Sequence, residues 1–391
     1  MLLLPFPLMS AAAPFFTLES TSPHSKARTG RIRTAHGEIE TPVFMPVGTA
    51  GAVKALSPQR VEETGANIIL GNTYHLYLRP GCDLLERAGG LHRFANWKRA
   101  MLTDSGGFQV WSLETLRKIT EQGVEFQSHI DGSKHLFTPE SVMLAQRKIG
   151  ADIIMAFDEC TPYPATPAEV QKSLGLTQRW TERALEWLAQ NPPLHGYEQS
   201  FFGIVQGGMH KESRQAAIEH LAPLDLPGYA LGGLSVGEPA DIMYEVAEFS
   251  TQYMPVNKPR YVMGVGTPTN LLELIERGVD LFDCVLPTRN ARNGTIYTWD
   301  GALHYKAARH AQEIDKPVDE RCGCYTCRNF SRAYLRHLFV AGEFLAFELA
   351  SLHTLTFYQD LMREARAQII AGTFEGWKAE LIQRWAKPVG A

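Results

Sequence analysis

Short apolar runs alternate with capped helical stretches from about residue 50 to 285, polar residues recur just past the ends of those runs, and no phosphate-binding fingerprint accompanies them. Together these observations predict an α/β chain folded as a (β/α)8 barrel, a TIM barrel. The runs 67–70, 100–103, 152–157, 201–205, 229–231, 261–263 and 281–282 are mostly continuous, as expected of parallel strands covered on both faces. Between them, Ser57-Pro58, Thr138-Pro139, Thr166-Pro167 and Thr267-Pro268 each set a capping hydroxyl before a proline suited to the first helical position. Glu169, three residues after Thr166, completes a capping box, and Gly65 and Gly278 supply C-terminal stops. An open doubly wound sheet shares this rhythm. The barrel is preferred because Asp104, Asp158, Gln206 and Asp283, with Gly232-Gly233 and Gly264, all follow strand ends, which a barrel gathers onto one rim. Neither G-x-G-x-x-G after a first strand nor G-x-x-x-x-G-K-[ST] is present.

Of the 391 residues 45% are hydrophobic and 20% charged, which excludes intrinsic disorder and a membrane-embedded chain. A net charge of −4 excludes nucleic-acid binding through bulk positive charge. Residues 287–340 nevertheless carry nine Lys/Arg against five Asp/Glu, so positive charge is concentrated locally. The first sixteen residues are apolar, but the first cation is Lys26 and Pro5, Pro7 and Pro14 interrupt the run. They are expected to form a disordered extension (1–16) rather than a secretory signal, leaving 17–385 as the catalytic barrel.

The six cysteines are too sparse for a disulfide scaffold, but Cys322, Cys324 and Cys327 fall in one C-x-C-x2-C cluster. With His353, 25 intervening residues on, they would fill the closed tetrahedral shell of a structural Zn2+; His337 is the competing fourth ligand. The expected zinc-binding subdomain spans about 287–357, near the last strand and helix of the barrel, and the thiols point to a reducing, cytoplasmic compartment.

Asp104-Ser105-Gly106-Gly107-Phe108 is a glycine-rich turn after a strand, opened by a carboxylate and closed by an aromatic. Asp283 places a second carboxylate at another strand end, with Arg289 and Arg292 behind it. Two carboxylates on one rim suit glycosidic bond chemistry, one attacking the anomeric carbon and the other handling the leaving group's proton. Each alone could equally cap a helix or pair with an arginine. Asp158, Gln206 and the backbone N–H of Gly233 could read the edge of a purine-like base, stacked between Phe108 and Met263, although rim polarity and core packing explain them as well.

The segments Thr34-Ala-His-Gly-Glu38, Thr41-Pro-Val-Phe-Met-Pro-Val-Gly48, Asp104-Ser-Gly-Gly-Phe108-Gln-Val, Gly203-Ile-Val-Gln206-Gly-Gly208, Gly232-Gly-Leu-Ser-Val-Gly-Glu238 and Phe282-Asp-Cys-Val-Leu-Pro-Thr-Arg289 resemble bacterial tRNA-guanine transglycosylase, in order, over about residues 17 to 385. The resemblance implies replacement of guanine at wobble position 34 of tRNAs for Asp, Asn, His and Tyr by 7-aminomethyl-7-deazaguanine (preQ1), on the way to queuosine. It implies Asp283 as nucleophile in a covalent enzyme–ribose intermediate and Asp104 as proton acceptor and general acid/base. Substrate-binding positions would be Asp104, Ser105, Gly106, Gly107, Phe108, Asp158, Gln206, Gly233 and Met263. RNA-binding positions would be Gly264, Val265, Gly266, Thr267, Pro268, Thr269, Asn270, Thr288, Arg289, Asn290, Ala291 and Arg292. The metal ligands would be Cys322, Cys324, Cys327 and His353, the partners tRNA, the bases guanine and preQ1, and a second copy in a homodimer, with no membrane.

Cys160 and Val236 resemble the bacterial, preQ1-using type. Thr354 departs from the asparagine usual after the histidine ligand, which itself is retained. A non-catalytic accessory subunit could have lost the aspartates; both stand here in intact motifs. A nucleosidase would need neither the cysteine cluster nor the basic segment.

Overall fold

The computed structural model describes residues 14–111 and 117–386. Eight parallel strands form the core: β1 (Val43–Pro46), β2 (Ile68–Gly71), β3 (Ala100–Thr103), β4 (Ile153–Met155), β5 (Ser200–Val205), β6 (Gly228–Leu231), β7 (Arg260–Val262) and β8 (Leu281–Cys284). Each pairs with the next in sequence, β8 returns to β1, and the bridge Val47–Leu70 closes β1 onto β2. The expected (β/α)8 barrel is therefore the observed fold. Except for the first residue of β5 and Asp283 in β8, every residue of these strands is buried, which explains the unbroken apolar runs.

All four expected caps are formed. Ser57, Thr138, Thr166 and Thr267 each accept an N–H from three residues on, and Thr166–Glu169 makes the reciprocal box. Strand β1 is missing from the sequence-based set because Pro42 and Pro46 bracket it and read as breakers; here Pro42 precedes the strand and Pro46 ends it. The run 152–157 shortens to β4 because Asp152 is occupied before the strand and Phe157 continues into the rim loop.

Two additions were not foreseen. An antiparallel sheet of Phe16–Thr21, Arg28–Thr34 and Gly37–Thr41 covers the end of the barrel where the strands begin. Arg28 fastens it by a buried bidentate pair with Asp280, just ahead of β8. His36 and His92 grip the two oxygens of Asp152, just ahead of β4, at 2.8 and 3.1 Å. A second antiparallel sheet, Arg117–Ile119, Val124–Gln127 and Lys134–Phe137, grows from the loop after β3. Of the expected extension, residues 1–13 lie outside the described part; Phe16 is buried and its neighbour Phe15 packs edge-on against Phe202.

After β8 the chain leaves the barrel to build a smaller core of its own, with Ile296, Leu303, Tyr305, Val318, Leu335, Leu338 and the three clustered cysteines. The helix Leu345–Ala371 serves both cores: Ala346, Leu349 and Ala350 face the small one, and Leu355, Tyr358, Leu361 and Met362 face the barrel. One rigid element thus ties the cysteine cluster to the barrel wall.

Candidate active site and metal centre

A cleft of about 420 Å³ opens at the C-terminal ends of the strands, and Asp104, Asp158, Gln206, Gly233, Met263, Gly264, Asp283 and Arg289 all line it. The rim expected from strand-end polarity is a single wall, the face on which barrels build sites.

Asp104 follows β3 and is saturated with donors. Its Oδ1 accepts the N–H of Thr73 (2.8 Å) and of Gly106 (3.2 Å); its Oδ2 accepts Asn72 Nδ2 (2.5 Å) and Gln109 Nε2 (2.9 Å). Burial pushes its carboxyl up to about 6, against the pull of those donors and with a further push from the charge of Asp283. Gly106 adopts φ +77°, the left-handed turn that aims its N–H at the carboxylate.

Asp283 is held differently. Tyr261 Oη donates to its Oδ1 at 2.5 Å and Gly264 N–H to the same oxygen at 2.8 Å. Among the described residues no donor reaches Oδ2, and the side chain keeps part of its surface open to the cleft. Burial raises its carboxyl, opposed by Tyr261 and Gly264. Tyr261, enclosed and beside a carboxylate, is pushed far above the ordinary phenol range and stays a donor.

Asp158 accepts from Ser105 Oγ (3.1 Å) and Gln206 Nε2 (2.6 Å), and burial lifts it to about 6. The other amide atom of Gln206, Oε1, is buried without a partner among the described residues. Gly233, at φ +64°, closes against it: a Cβ there would stand 2.6 Å from that oxygen. Gly107 is equally required, since its Cβ would meet Asp158 O at 2.6 Å. Phe108 lies half exposed at the mouth, and Met263 is partly buried beside it.

The expected RNA-binding positions split. Gly264 and Arg289 are exposed at the cleft; Thr267, Thr269, Asn270, Asn290 and Arg292 are half-buried; Val265, Gly266, Pro268, Thr288 and Ala291 are buried. Thr267 caps the Pro268–Glu276 helix, and Asn270 accepts from Tyr244 Oη at 2.7 Å. Sequence reasoning missed Asn72, Tyr261 and Arg214. Asn72 sits just past β2 and obeys the strand-end rule used for the others; Tyr261 lies inside a strand and Arg214 inside a helix, where neither position carries a signal. Arg214 is fully buried and donates to Gly208 O (2.8 Å) and Val205 O (2.7 Å), bracing the loop after β5.

Cys322, Cys324, Cys327 and His353 are all buried, and their ligand atoms lie within 4.8 Å of one another. His353 Nε2 faces Tyr297 O at 2.9 Å, which fixes the proton there and leaves the Nδ1 lone pair toward Cys324 Sγ (3.7 Å) and Cys327 Sγ (3.2 Å). That set fits a metal ion, and His353 rather than His337 completes it. His36, His92 and Asp152 do not form a second such site. The two rings stack 3.7 Å apart at 12°, so their in-plane lone pairs run in parallel planes and cannot converge on one ion.

The family model described as queuine tRNA-ribosyltransferase matches residues 22–387. The chain belongs to the queuine tRNA-ribosyltransferase family. Proteins named queuine tRNA-ribosyltransferase are 56% identical in Caldanaerobacter subterraneus subsp. tengcongensis, over 92% of this chain and 95% of that protein, and 53% identical in Thermoanaerobacter sp., over 96% and 98%. A third, from Nitratidesulfovibrio vulgaris, is 55% identical over 93% of this chain and 95% of its own length. Membership of this transglycosylase family agrees with the resemblance drawn from the motifs.

Proposed function

We propose that this family member exchanges guanine at wobble position 34 of tRNAs for Asp, Asn, His and Tyr for preQ1, by double displacement. The observation that carries the reading is the unequal hold on two carboxylates of one cleft: among the described residues Asp283 has no donor on Oδ2, while Asp104 has donors on both oxygens and burial pushes its carboxyl up to about 6. Asp283 Oδ2 attacks ribose C1′, the C1′–N9 bond breaks, and protonated Asp104 delivers the proton to the leaving guanine. The incoming base then gives its N9 proton to Asp104, attacks C1′ and releases the Asp283 carboxylate. Configuration is retained, and no nucleotide cofactor enters.

Asp158, Gln206 and Gly233 N–H read the edge of the base, and Phe108 and Met263 take its faces, with Ser105, Gly106 and Gly107 shaping the floor. The unpartnered Gln206 Oε1 supports this, being a polar atom that a base would satisfy. Cys160 and Val236 line the same cleft and favour preQ1 over queuine. The nucleotide reaches the pocket turned out of the single-stranded anticodon loop. Arg289 at the lip and the basic stretch 287–340 meet its phosphates, while the buried members of the Gly264–Asn270 and Thr288–Arg292 segments act through their backbone.

Cys322, Cys324, Cys327 and His353 hold Zn2+, which closes the subdomain of about 287–357 and supplies no reacting atom. The protein works in the cytoplasm, where tRNA and reduced thiols coexist. It works as a homodimer, and Tyr334, Val340 and Phe344, in the stretch after the cysteine cluster, are exposed apolar residues open to such a contact.

The test is incorporation of labelled guanine into a tRNA with a G-U-N anticodon, without added nucleotide, by wild type and Asp283→Asn. Exchange by the wild type and a loss of at least about a thousandfold in the variant are expected. A folded, zinc-loaded wild type that does not exchange would overturn the reading in favour of a non-catalytic subunit.

A further inference from the structure

Tyr358 is not part of the cleft wall, yet it touches the backbone that holds Asp283. It lies fully buried on the long helix Leu345–Ala371, five residues after His353, with its ring against Phe44 of β1 (4.7 Å between centroids) and Tyr297 (5.9 Å). The next residue, Gln359, donates to Phe44 O at 3.0 Å, so the helix is pinned to the barrel at this turn. The Tyr358 hydroxyl donates to Gly266 O at 2.5 Å.

Gly266 belongs to the turn after β7 that begins with Gly264. Neither glycine has a side chain to anchor it, and Val265 between them is buried in the barrel core. Among the described residues the turn 264–266 makes two hydrogen bonds, Gly264 N–H to Asp283 Oδ1 and Gly266 O from Tyr358. The turn also lies flush on the residue after Asp283: a Cβ on Gly266 would stand 2.2 Å from Cys284 Cβ. Three residues of backbone, 264–266, therefore link the carbonyl that Tyr358 holds to the amide on the carboxylate.

We infer that Tyr358 is a positioning residue, whose hydroxyl fixes the Gly264–Gly266 turn and through the Gly264 amide sets the orientation and acidity of Asp283. The inference rests on the reading of Asp283 as nucleophile. A buried tyrosine hydroxyl commonly finds some partner, so a purely structural role is the alternative to beat. What favours positioning is the acceptor chosen, a carbonyl of the same turn whose first amide holds the reacting carboxylate, where the buried Val265 supplies apolar packing but no polar restraint.

Tyr358→Phe removes one oxygen and keeps the ring. We expect kcat for guanine exchange to fall about tenfold, the scale of one lost neutral hydrogen bond, with KM for guanine within about twofold because Asp158, Gln206 and Gly233 are untouched. The acidic limb of kcat/KM should move to higher pH, since a loosened turn weakens the Gly264 N–H bond that favours the charged form of Asp283. Amide exchange in peptides covering 263–267 should quicken about tenfold. Phe357→Leu, on the same helix, is the control for general destabilisation and should lower the melting temperature without moving the acidic limb. A Tyr358→Phe protein with wild-type kcat and acidic limb, or with unchanged amide exchange at 263–267, overturns the inference. If the wild type itself exchanged no guanine, the base-exchange reading would fall alone, and amide exchange would still decide whether Tyr358 holds the turn.

Discussion

Replacing Asp158 by asparagine should make the protein more stable at alkaline pH while removing its hold on guanine. Burial lifts this carboxyl from 3.8 to about 6, so the fold favours its protonated form. A raised carboxyl contributes its stabilisation fully below the unfolded value, and that contribution is lost as pH rises through the folded value near 6. About two pH units correspond to roughly 3 kcal/mol of burial cost above pH 7. Asparagine deletes the charge and keeps the shape. Ser105 Oγ, now 3.1 Å from Oδ1, can still donate to the amide oxygen. Gln206, which donates from Nε2 at 2.6 Å, can turn its amide over and offer the Oε1 that has no partner among the described residues. The turned amide leaves Nε2 unpaired where Oε1 is unpaired now, so the number of unpaired buried atoms does not rise. At roughly 1–2 °C per kcal/mol for a chain of this length, Asp158→Asn should melt about 3–6 °C above wild type at pH 8. The gap should close toward pH 4. Melting curves across pH 4–8 measure it directly. A gap that does not vary with pH, or a variant that melts lower at pH 8, would refute the account of Asp158 as a buried charge kept for binding. In the exchange assay the same variant should show a KM for guanine about a hundredfold higher, the scale of a lost charged hydrogen bond.

Two further outcomes test other parts of the molecule. His353→Ala leaves three thiols without the imidazole that Tyr297 orients; zinc per chain, measured by mass spectrometry after dialysis against a weak chelator, should fall from about one to below about one-tenth. Gly233→Ala sets a methyl 2.6 Å from Gln206 Oε1 at a left-handed position, so KM for guanine should rise about tenfold or more while the tRNA's own affinity, read by filter binding, stays within about twofold.

The sequence made the barrel legible because a (β/α)8 chain repeats one local instruction, and Ser57, Thr138, Thr166 and Thr267 give it in the same form each time. Asp104, Asp158, Gln206 and Asp283 were readable by the same logic, since a polar residue straight after an unbroken apolar strand has only the rim to occupy. Strand β1 escaped because its proline neighbours act at the strand's ends, which local pattern does not reveal. The sheet that Arg28 and His36 fasten across the barrel base escaped for another reason. Their partners, Asp280 and Asp152, lie 252 and 116 residues away, and nothing near either end announces the pairing.

Residue type identifies the carboxylates, but only the hydrogen bonds divide their labour. Asp104, Asp158 and Asp283 are all raised by burial, so burial alone cannot assign one as nucleophile and another as proton carrier. What separates them is how each oxygen is held. Among the described residues both Asp283 donors converge on Oδ1, which orients the group and leaves Oδ2 without a donor and open to form a bond. Asp104 has donors on both oxygens, so it is poorly placed to attack carbon; its proton traffic requires one donor to yield. Thr73 and Gly106 donate from the backbone, while Asn72 and Gln109 donate from side chains that line the cleft. The backbone donors are fixed by the chain, so in the proposed reaction the proton on Asp104 takes the place of a bond from one of the two side-chain amides.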